Sequence, residues 1–246
     1  MIFFKGNLHG VERFKLFKGS EEKKKAVMVY SGGDDMFFVG SWNDIIELAV
    51  DIKHCFDKYT AGTLTFSAGI GLYGEKYPIY AMAQESEILQ EASKNVDGKN
   101  AVSLFGMEID ANKRSICRHT YSWDDFTEKV VKEKLRFIED YFSIVHSERS
   151  GSGNAFLYRL KEYIDNMVSS SDEEEKQNRI NIARFAYLLS RLEPTTSNPT
   201  IKEKYSEFST KMYRWIQEPI ERRMLSTAIT LYILSTRKNR RNENEG

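Results

Sequence analysis

The fold of this chain is decided by residues 26–40, which read AVMVYSGGDDMFFVG. Two short apolar runs, Ala26–Tyr30 and Met36–Val39, flank a centre of glycine and aspartate. β-Branched and aromatic residues on both sides of such a centre predict a β-hairpin. Adjacent exposed carboxylates, here Asp34 and Asp35, are typical ligands of a hard cation such as Mg²⁺. The alternative is an ordinary hairpin turn, since turns are rich in glycine and aspartate.

The composition is that of a globular protein with balanced charge. Of the 246 residues 41% are hydrophobic, and 36 basic residues balance 36 acidic ones. A net charge of zero gives no global argument for nucleic-acid binding, so any such site must be local. Two cysteines give no disulfide framework and indicate a reducing compartment, which predicts a cytoplasmic location. No apolar run reaches the ~18 residues of a membrane span, and the N-terminus is not a signal peptide.

A helix, a strand, a second helix and a second strand are predicted after the hairpin. Ser41 and Asp44 predict a capping box for the first helix. Apolar residues at helical spacing follow at Ile45, Leu48, Ala49, Ile52 and Phe56. Residues 63–73 predict a strand, in which Gly69 and Gly71 indicate a close approach of another backbone segment or a bulge. A helix to about residue 96 and a strand over residues 99–105 complete this part.

This order becomes β-α-β-β-α-β when one strand and one helix are restored in front of it. That is the ferredoxin-like arrangement of polymerase palms and nucleotide cyclases. Ile2-Phe3-Phe4 looks like the last turn of a helix whose start is missing, so we expect a palm that is truncated at its N-terminus and lacks its first strand. Beyond residue 121 no strand pattern remains, and apolar stripes predict four or five helices, the first capped by Ser122.

The predicted fold class is therefore α+β, with two domains. Residues 1–120 are expected to form the ferredoxin-like palm. Residues 121–246 are expected to form an all-α helical bundle. Aromatic stripes in this second part are interpreted as core positions, because large apolar side chains at helical spacing are the ordinary means of packing helices together.

Four sequence blocks carry a resemblance to a known family: YSGGDDMFFVG, LTFSAGIGLY, KYPIYAMAQESEILQEASK and GKNAVSLFG. With their spacing they resemble the second palm domain of the large, polymerase-like subunit of type III CRISPR–Cas effector complexes, above all of the III-A (Csm) variety. WDDF, FLYRL and IARFAYLLSRLEP resemble the C-terminal helical domain of that subunit. The palm is also related to GGDEF diguanylate cyclases, with Asp35 in place of glutamate.

The resemblance implies an enzyme of antiviral defence. In that family the palm is a nucleotidyltransferase that joins AMP units from ATP into cyclic oligoadenylates, a second messenger, when target RNA pairs with the guide RNA. Asp34 and Asp35 are then expected to be catalytic and to hold Mg²⁺ or Mn²⁺. The residues implied to contact the nucleotide are Gly32, Gly33, Ser67, Lys94 and Lys99.

The partners implied by the resemblance are the other subunits of the effector complex, the guide RNA and the target RNA, and no membrane. Basic residues of the helical part could contact RNA phosphates, or could belong to a solvated helix face. The candidates are Arg179, Arg184, Arg191, Arg214, Arg222 and Arg223. The family's nuclease domain, its first palm and a strand with further aspartates are expected before residue 1. We therefore expect the 246-residue chain alone to make no oligoadenylate.

Two other interpretations stay open. One is a diguanylate-cyclase-like enzyme that uses GTP, against which Asp35 and the KYPIY block argue. The other is a catalytically silent scaffold that only binds RNA and subunits, against which the intact Gly-Gly-Asp-Asp sequence argues.

Overall fold

The protein is described here by a computed structural model, which covers residues 13–18, 24–109, 115–146, 155–167, 172–194 and 198–244. The chain divides into two compact units, Met1–Asp125 and Phe126–Gly246. The helix end expected at residues 2–4 lies outside the described residues. The predicted domain boundary after residue 120 stays a prediction, because compactness alone does not show where an independently folding domain ends.

The first unit begins with the predicted hairpin. Strand β1 (Ala26–Gly32) pairs antiparallel with strand β2 (Asp35–Gly40), and Gly32 lies opposite Asp35. The hairpin prediction is confirmed, but both strands extend further towards the tip than the apolar runs indicated. Only Gly33 and Asp34 are left to form the turn.

The elements that follow the hairpin are α1 (Trp42–Thr60), β3 (Ala68–Gly71), α2 (Ile79–Lys94), β4 (Ala101–Phe105), β5 (Glu108–Ile109), β6 (Ser115–Ile116) and β7 (Thr120–Ser122). Strands β3 and β4 are parallel, with Ala68 opposite Val102, and α2 connects them. Strand β7 adds antiparallel to β4 on its other side. The strand predicted over residues 63–73 is therefore much shorter than expected, and the sequence pattern gave no indication of β5, β6 and β7.

The described strands form three sheets, not the single sheet that a complete ferredoxin-like fold has. These sheets are β1–β2, β3–β4–β7 and β5–β6. In a ferredoxin-like sheet the first strand lies between the hairpin and the last strand. In the described residues the hairpin and β3 belong to two different sheets. The first strand is the one that would join them in a ferredoxin-like sheet.

Helix α1 buries acidic residues where the sequence predicted an apolar face. Asp44, Glu47 and Asp51 are all buried, whereas Ile45 and Leu48 are only half-buried. The three carboxylates accept hydrogen bonds from main-chain N–H groups of a preceding segment: Asp51 from Phe14 at 2.7 Å, Glu47 from Leu16 at 2.7 Å and Asp44 from Lys25 at 3.0 Å. Main-chain donors make this burial tolerable, because a buried charge needs hydrogen-bonding partners.

The capping box predicted for α1 is wrong. The Ser41 side chain makes no capping hydrogen bond and instead donates to Asn43 Oδ1 at 2.9 Å. Asp44 is the other residue of the predicted box. Its carboxylate accepts a hydrogen bond from the main-chain N–H of Lys25. The cap that was predicted for the first helix of the second part is confirmed, since Ser122 Oγ accepts from the main-chain N–H of Asp125 at 3.1 Å.

The second unit is helical throughout its described residues. Its elements are a π-helical segment (Asp125–Leu135, whose first residue precedes the unit), α3 (Arg136–His146), α4 (Ala155–Asp165), α5 (Asp172–Ser190), α6 (Pro199–Gln217) and α7 (Pro219–Asn244). An α+β unit followed by a helical unit confirms the predicted fold class. No helix in the described part of the chain is both long and apolar enough to cross a membrane.

Aromatic side chains fill the core of the helical unit. Phe208 on α6 is fully buried and stacks on Tyr141 of α3, with ring centroids 3.8 Å apart. Phe137 stacks on the ring of Phe208 with centroids 5.9 Å apart, and it meets the ring of Trp215 edge-on at 5.5 Å. The aromatic stripes of α3 and α6 are therefore core residues, as predicted. The stripe predicted for α5 is wrong, since Ile180 and Tyr187 are exposed and Phe185 and Leu189 are buried instead.

Replacing Phe208 by alanine is expected to lower the free energy of unfolding by about 3–5 kcal/mol, because the cavity cannot collapse around rigid neighbouring rings. Urea unfolding followed by circular dichroism measures this change. Tyr213→Ala on the same helix is the matched control, since Tyr213 is exposed and its removal should cost under about 0.5 kcal/mol. Equal losses for the two variants would contradict the assigned core.

Candidate functional site

The acid pair lies at the tip of the β1–β2 hairpin. Gly33 has a φ of +61° and Asp34 does not have a positive φ, as in a type II′ turn, where glycine takes the first central position. Asp34 and Asp35 are both exposed. A Cβ atom at position 32 would lie 2.4 Å from the hydroxyl of Tyr30, an exposed side chain that can turn away.

The donor set at this tip suits a hard cation. Mg²⁺ is commonly bound through one or two carboxylates, with water and substrate phosphates completing its octahedron. Asp34 and Asp35 supply such a pair in open solvent, at a main chain that a phosphate can approach because Gly33 carries no side chain. Within the described ranges no group of three or more His, Cys, Asp or Glu could hold a metal ion.

Helix α2 brings Lys94 towards the same carboxylates. Lys94 Nζ donates to Glu91 Oε1 at 2.8 Å, and this hydrogen bond is the largest cause of a raised pKa for Lys94. The negative charges of Asp35 and Asp34 also raise the pKa of Lys94. The ammonium group therefore lies within electrostatic range of both acids, and it remains protonated at neutral pH.

The position of Lys94 depends on how closely α2 packs on β3. A Cβ atom at Gly69 would lie 2.3 Å from the main-chain oxygen of Ser86 and 2.4 Å from the main-chain nitrogen of Gln90. Only glycine allows this approach, as the sequence indicated. Leu89, next to this contact, is fully buried. The close packing fixes the helix whose last residue is Lys94.

Two other predicted nucleotide residues, Ser67 and Lys99, form a second pair. Ser67 Oγ donates a hydrogen bond to the main-chain oxygen of Lys99 at 2.8 Å. Lys99 has a φ of +48°, in the left-handed region that residues other than glycine rarely adopt. Its N–H donates to the oxygen of Val96 at 2.9 Å, which closes the turn after α2. The hydroxyl of Ser67 thus holds the main chain of Lys99, a contact that the sequence did not predict.

The structure therefore divides the predicted residues into two groups. Asp34, Asp35 and Lys94 interact through their charges, and Ser67 and Lys99 through a hydrogen bond. Sequence reasoning missed Glu91, although its position three residues before Lys94 is a recognisable ion-pair spacing on a helix.

The arginines chosen as RNA contacts have different environments. Arg184 and Arg191 are exposed on α5 and after its end, and Arg223 is half-buried. Arg222 is buried and its guanidinium donates to three main-chain oxygens. These are Ile216 at 2.8 Å, Met167 at 2.9 Å and Gln217 at 3.3 Å. Burial lowers the pKa of Arg222. A side chain so used cannot also reach a phosphate, so we withdraw Arg222 from the RNA candidates.

Comparisons with known proteins agree with this architecture. Residues 2–103 match the family model "Cas10/Cmr2, second palm domain", and residues 137–238 match "CRISPR RNA silencing complex Cmr2 subunit, second helical domain". The Cas10/Csm1 single-strand-specific deoxyribonuclease (subtype III-A) of Mycobacterium tuberculosis is 39% identical over 215 residues, which are 87% of this chain and 23% of that protein. Its counterpart in Streptococcus thermophilus is 35% identical over 217 residues, 88% of this chain and 26% of that protein.

A solved structure has the same fold. The crystal structure of Csm1 from T. onnurineus aligns with a TM-score of 0.51 at 25% identity, over 85% of this chain and 28% of that chain. The chain thus spans about a quarter of the length of the relatives that it matches.

Arg222→Met is expected to lower the free energy of unfolding by roughly 2–3 kcal/mol, because buried main-chain oxygens lose a charged donor. Arg184→Met removes an exposed guanidinium of the same unit and should change stability by under about 0.5 kcal/mol. Thermal and urea unfolding measure both variants. An Arg222→Met protein as stable as the Arg184→Met protein would contradict the structural role.

Proposed function

Because this chain belongs to the Cas10/Csm1 family of large subunits of type III-A CRISPR systems, we propose that it forms the second palm and the following helical domain of such a subunit. In the complete effector complex the palm would bind ATP with a divalent cation and join AMP units into cyclic oligoadenylate when target RNA is bound. The deoxyribonuclease activity named for the relatives is not part of this proposal, since the matched residues belong to the palm and helical domains.

The observation that carries the proposal is the exposed acid pair at the hairpin tip within range of the Lys94 ammonium. Asp34 and Asp35 would hold the cation, and Lys94 would neutralise phosphate charge as a mobile point charge. A Mg²⁺ or Mn²⁺ held by Asp34 and Asp35 would supply Lewis-acid chemistry, which lowers the pKa of the attacking 3′-hydroxyl. The 3′ oxygen then bonds to the α-phosphorus of the next ATP, and pyrophosphate leaves.

Glu91 holds the ammonium group of Lys94 on the surface of α2. The hydrogen bond of 2.8 Å between the two side chains keeps the ammonium near the tip. Both side chains are on the surface of α2, so exchanging the carboxylate for a triphosphate oxygen costs little. A lysine ammonium is charged at neutral pH, and the negative charges of Asp34 and Asp35 favour that form further.

The remaining predicted residues are assigned to nucleotide positioning. Gly32 and Gly33 would let the triphosphate approach the main chain at the turn. Lys99 would offer a second ammonium on the turn after α2, and Ser67 would hold that turn from the neighbouring segment. The domain limits proposed for these functions are residues 1–120 for the palm and residues 121–246 for the helical part.

The proposed partners are the other subunits of the effector complex and, through phosphate contacts, the guide and target RNA. Arg184, Arg191 and Arg223 remain candidates for these contacts, and each phosphate contact should make RNA affinity more dependent on salt. The proposed location is the cytoplasm, where such RNA and ATP are present. Offering ATP and GTP together to the complex tests the GTP alternative, because a diguanylate-cyclase-like enzyme would consume GTP.

Replacing Asp34 or Asp35 by asparagine in the complete effector complex should reduce cyclic oligoadenylate formation by about 100-fold or more, since the transition state loses its metal-bound charge stabilisation. Product is measured by chromatography of labelled ATP after target RNA is added. Glu75→Gln, an exposed carboxylate of the same unit, is the control that should leave the rate unchanged. Intact assembly is checked by size-exclusion chromatography, and loss of assembly instead of product would favour the scaffold interpretation.

The purified 246-residue chain is expected to make no oligoadenylate from ATP and Mn²⁺. Joining two nucleotides needs a donor and an acceptor held together, and the acid pair with Lys94 provides for one triphosphate. The same product assay measures this, with the complete complex as the positive control. Turnover of ATP by the isolated chain would contradict the expectation.

A further inference from the structure

Trp123 joins the two segments that carry Ser67 and Lys99. Its indole Nε1–H donates to the main-chain oxygen of Phe66 at 2.7 Å. Its main-chain N–H donates to the oxygen of Asn100 at 3.3 Å. One residue therefore contacts both the neighbour of Ser67 and the neighbour of Lys99, although these lie 57 and 23 positions before it in sequence.

Ring packing fixes the orientation of the indole. The Trp123 and Phe66 rings stack with centroids 5.8 Å apart and an interplanar angle of 24°. Phe66 in turn packs against Phe56 of α1 at 5.9 Å. Trp123 is only 3% exposed, so its hydrogen bond to Phe66 forms away from bulk water. A buried tryptophan N–H needs such an acceptor, and the acceptor chosen here immediately precedes Ser67.

The contact matters because Lys99 has an unfavourable backbone conformation. A φ of +48° costs free energy for a residue with a Cβ atom and persists only where surrounding contacts impose it. The hydrogen bond from Ser67 to the oxygen of Lys99 is one such contact. Trp123 binds the residue before Ser67, which is Phe66, and the residue after Lys99, which is Asn100. It therefore restrains both partners of that hydrogen bond.

We propose that Trp123 is a positioning residue for the nucleotide site: it sets the register between the Ser67 and Lys99 segments and thereby directs the Lys99 side chain. This inference rests on the proposed function of Ser67 and Lys99 as nucleotide residues. Because Trp123 contacts the neighbours of Ser67 and Lys99, we expect its effect on nucleotide affinity and not on the chemical step.

The test uses Trp123→Phe in the complete effector complex, because phenylalanine keeps a ring against Phe66 but removes the indole N–H. We expect the KM for ATP to rise about tenfold, the scale of one hydrogen bond to a buried acceptor, while kcat changes less than about twofold. Trp215→Phe is the matched control. Trp215 is also buried and packed on an aromatic ring, but it belongs to the helical unit. It should lower thermal stability without changing KM.

A double-mutant cycle with Ser67→Ala separates positioning from general destabilisation. If Trp123 acts through the Ser67–Lys99 hydrogen bond, the combined variant should raise KM by no more than the larger single effect. Multiplicative effects would overturn the proposal, as would an unchanged KM in Trp123→Phe or an equal rise in Trp215→Phe. A wild-type complex that neither binds nor turns over ATP would instead refute the proposed function itself.

Discussion

The packing of the palm unit depends on Gly69, because any larger residue at this position would overlap the neighbouring helix. Helix α2 approaches β3 so closely that a single added carbon at Gly69 would overlap the main chain at Ser86 and Gln90. This contact orients the β3–α2–β4 crossover, since a helix that connects two parallel strands must pack back on the sheet that it serves. It also holds α2 against the sheet. Lys94 is the last residue of that helix, so one glycine links the packing of the sheet to the charge at the acid tip.

Local chemistry made much of the fold readable from the sequence. The hairpin was predictable because its turn residues and its apolar flanks adjoin one another, and the Ser122 cap because donor and acceptor are three residues apart. Features that depend on distant partners were not. The buried face of α1 was misassigned, since Glu47 accepts from the N–H of Leu16, 31 positions away, and forms an ion pair with Lys24. No local pattern distinguishes that glutamate from a solvated one.

The same limit applies to the candidate site. Asp34, Asp35 and Lys94 came from a recognisable motif, but the role of Ser67 depends on a hydrogen bond that spans 32 positions. Arg222 shows the opposite error. Its sequence position suits an exposed cationic face, yet it satisfies the last carbonyls of α6, as a buried guanidinium does when several acceptors converge. Glu47 and Arg222 are thus buried charges that hydrogen-bond to main chain, whereas Asp34 and Asp35 are exposed.

The exposed acid pair lies on the β1–β2 hairpin, whose first strand has few buried side chains. Val27, Val29 and Tyr30 of β1 are about half to two-thirds exposed, and a two-stranded hairpin is only marginally stable in water. Two neighbouring carboxylates add like-charge repulsion at its tip, which a cation would relieve. Metal binding at this tip therefore needs an apolar cover for β1 as well as a triphosphate, because a site must be held to within a fraction of an ångström to act. Under the proposed function, that requirement is a physical reason to expect nucleotidyl transfer only where a larger assembly covers β1.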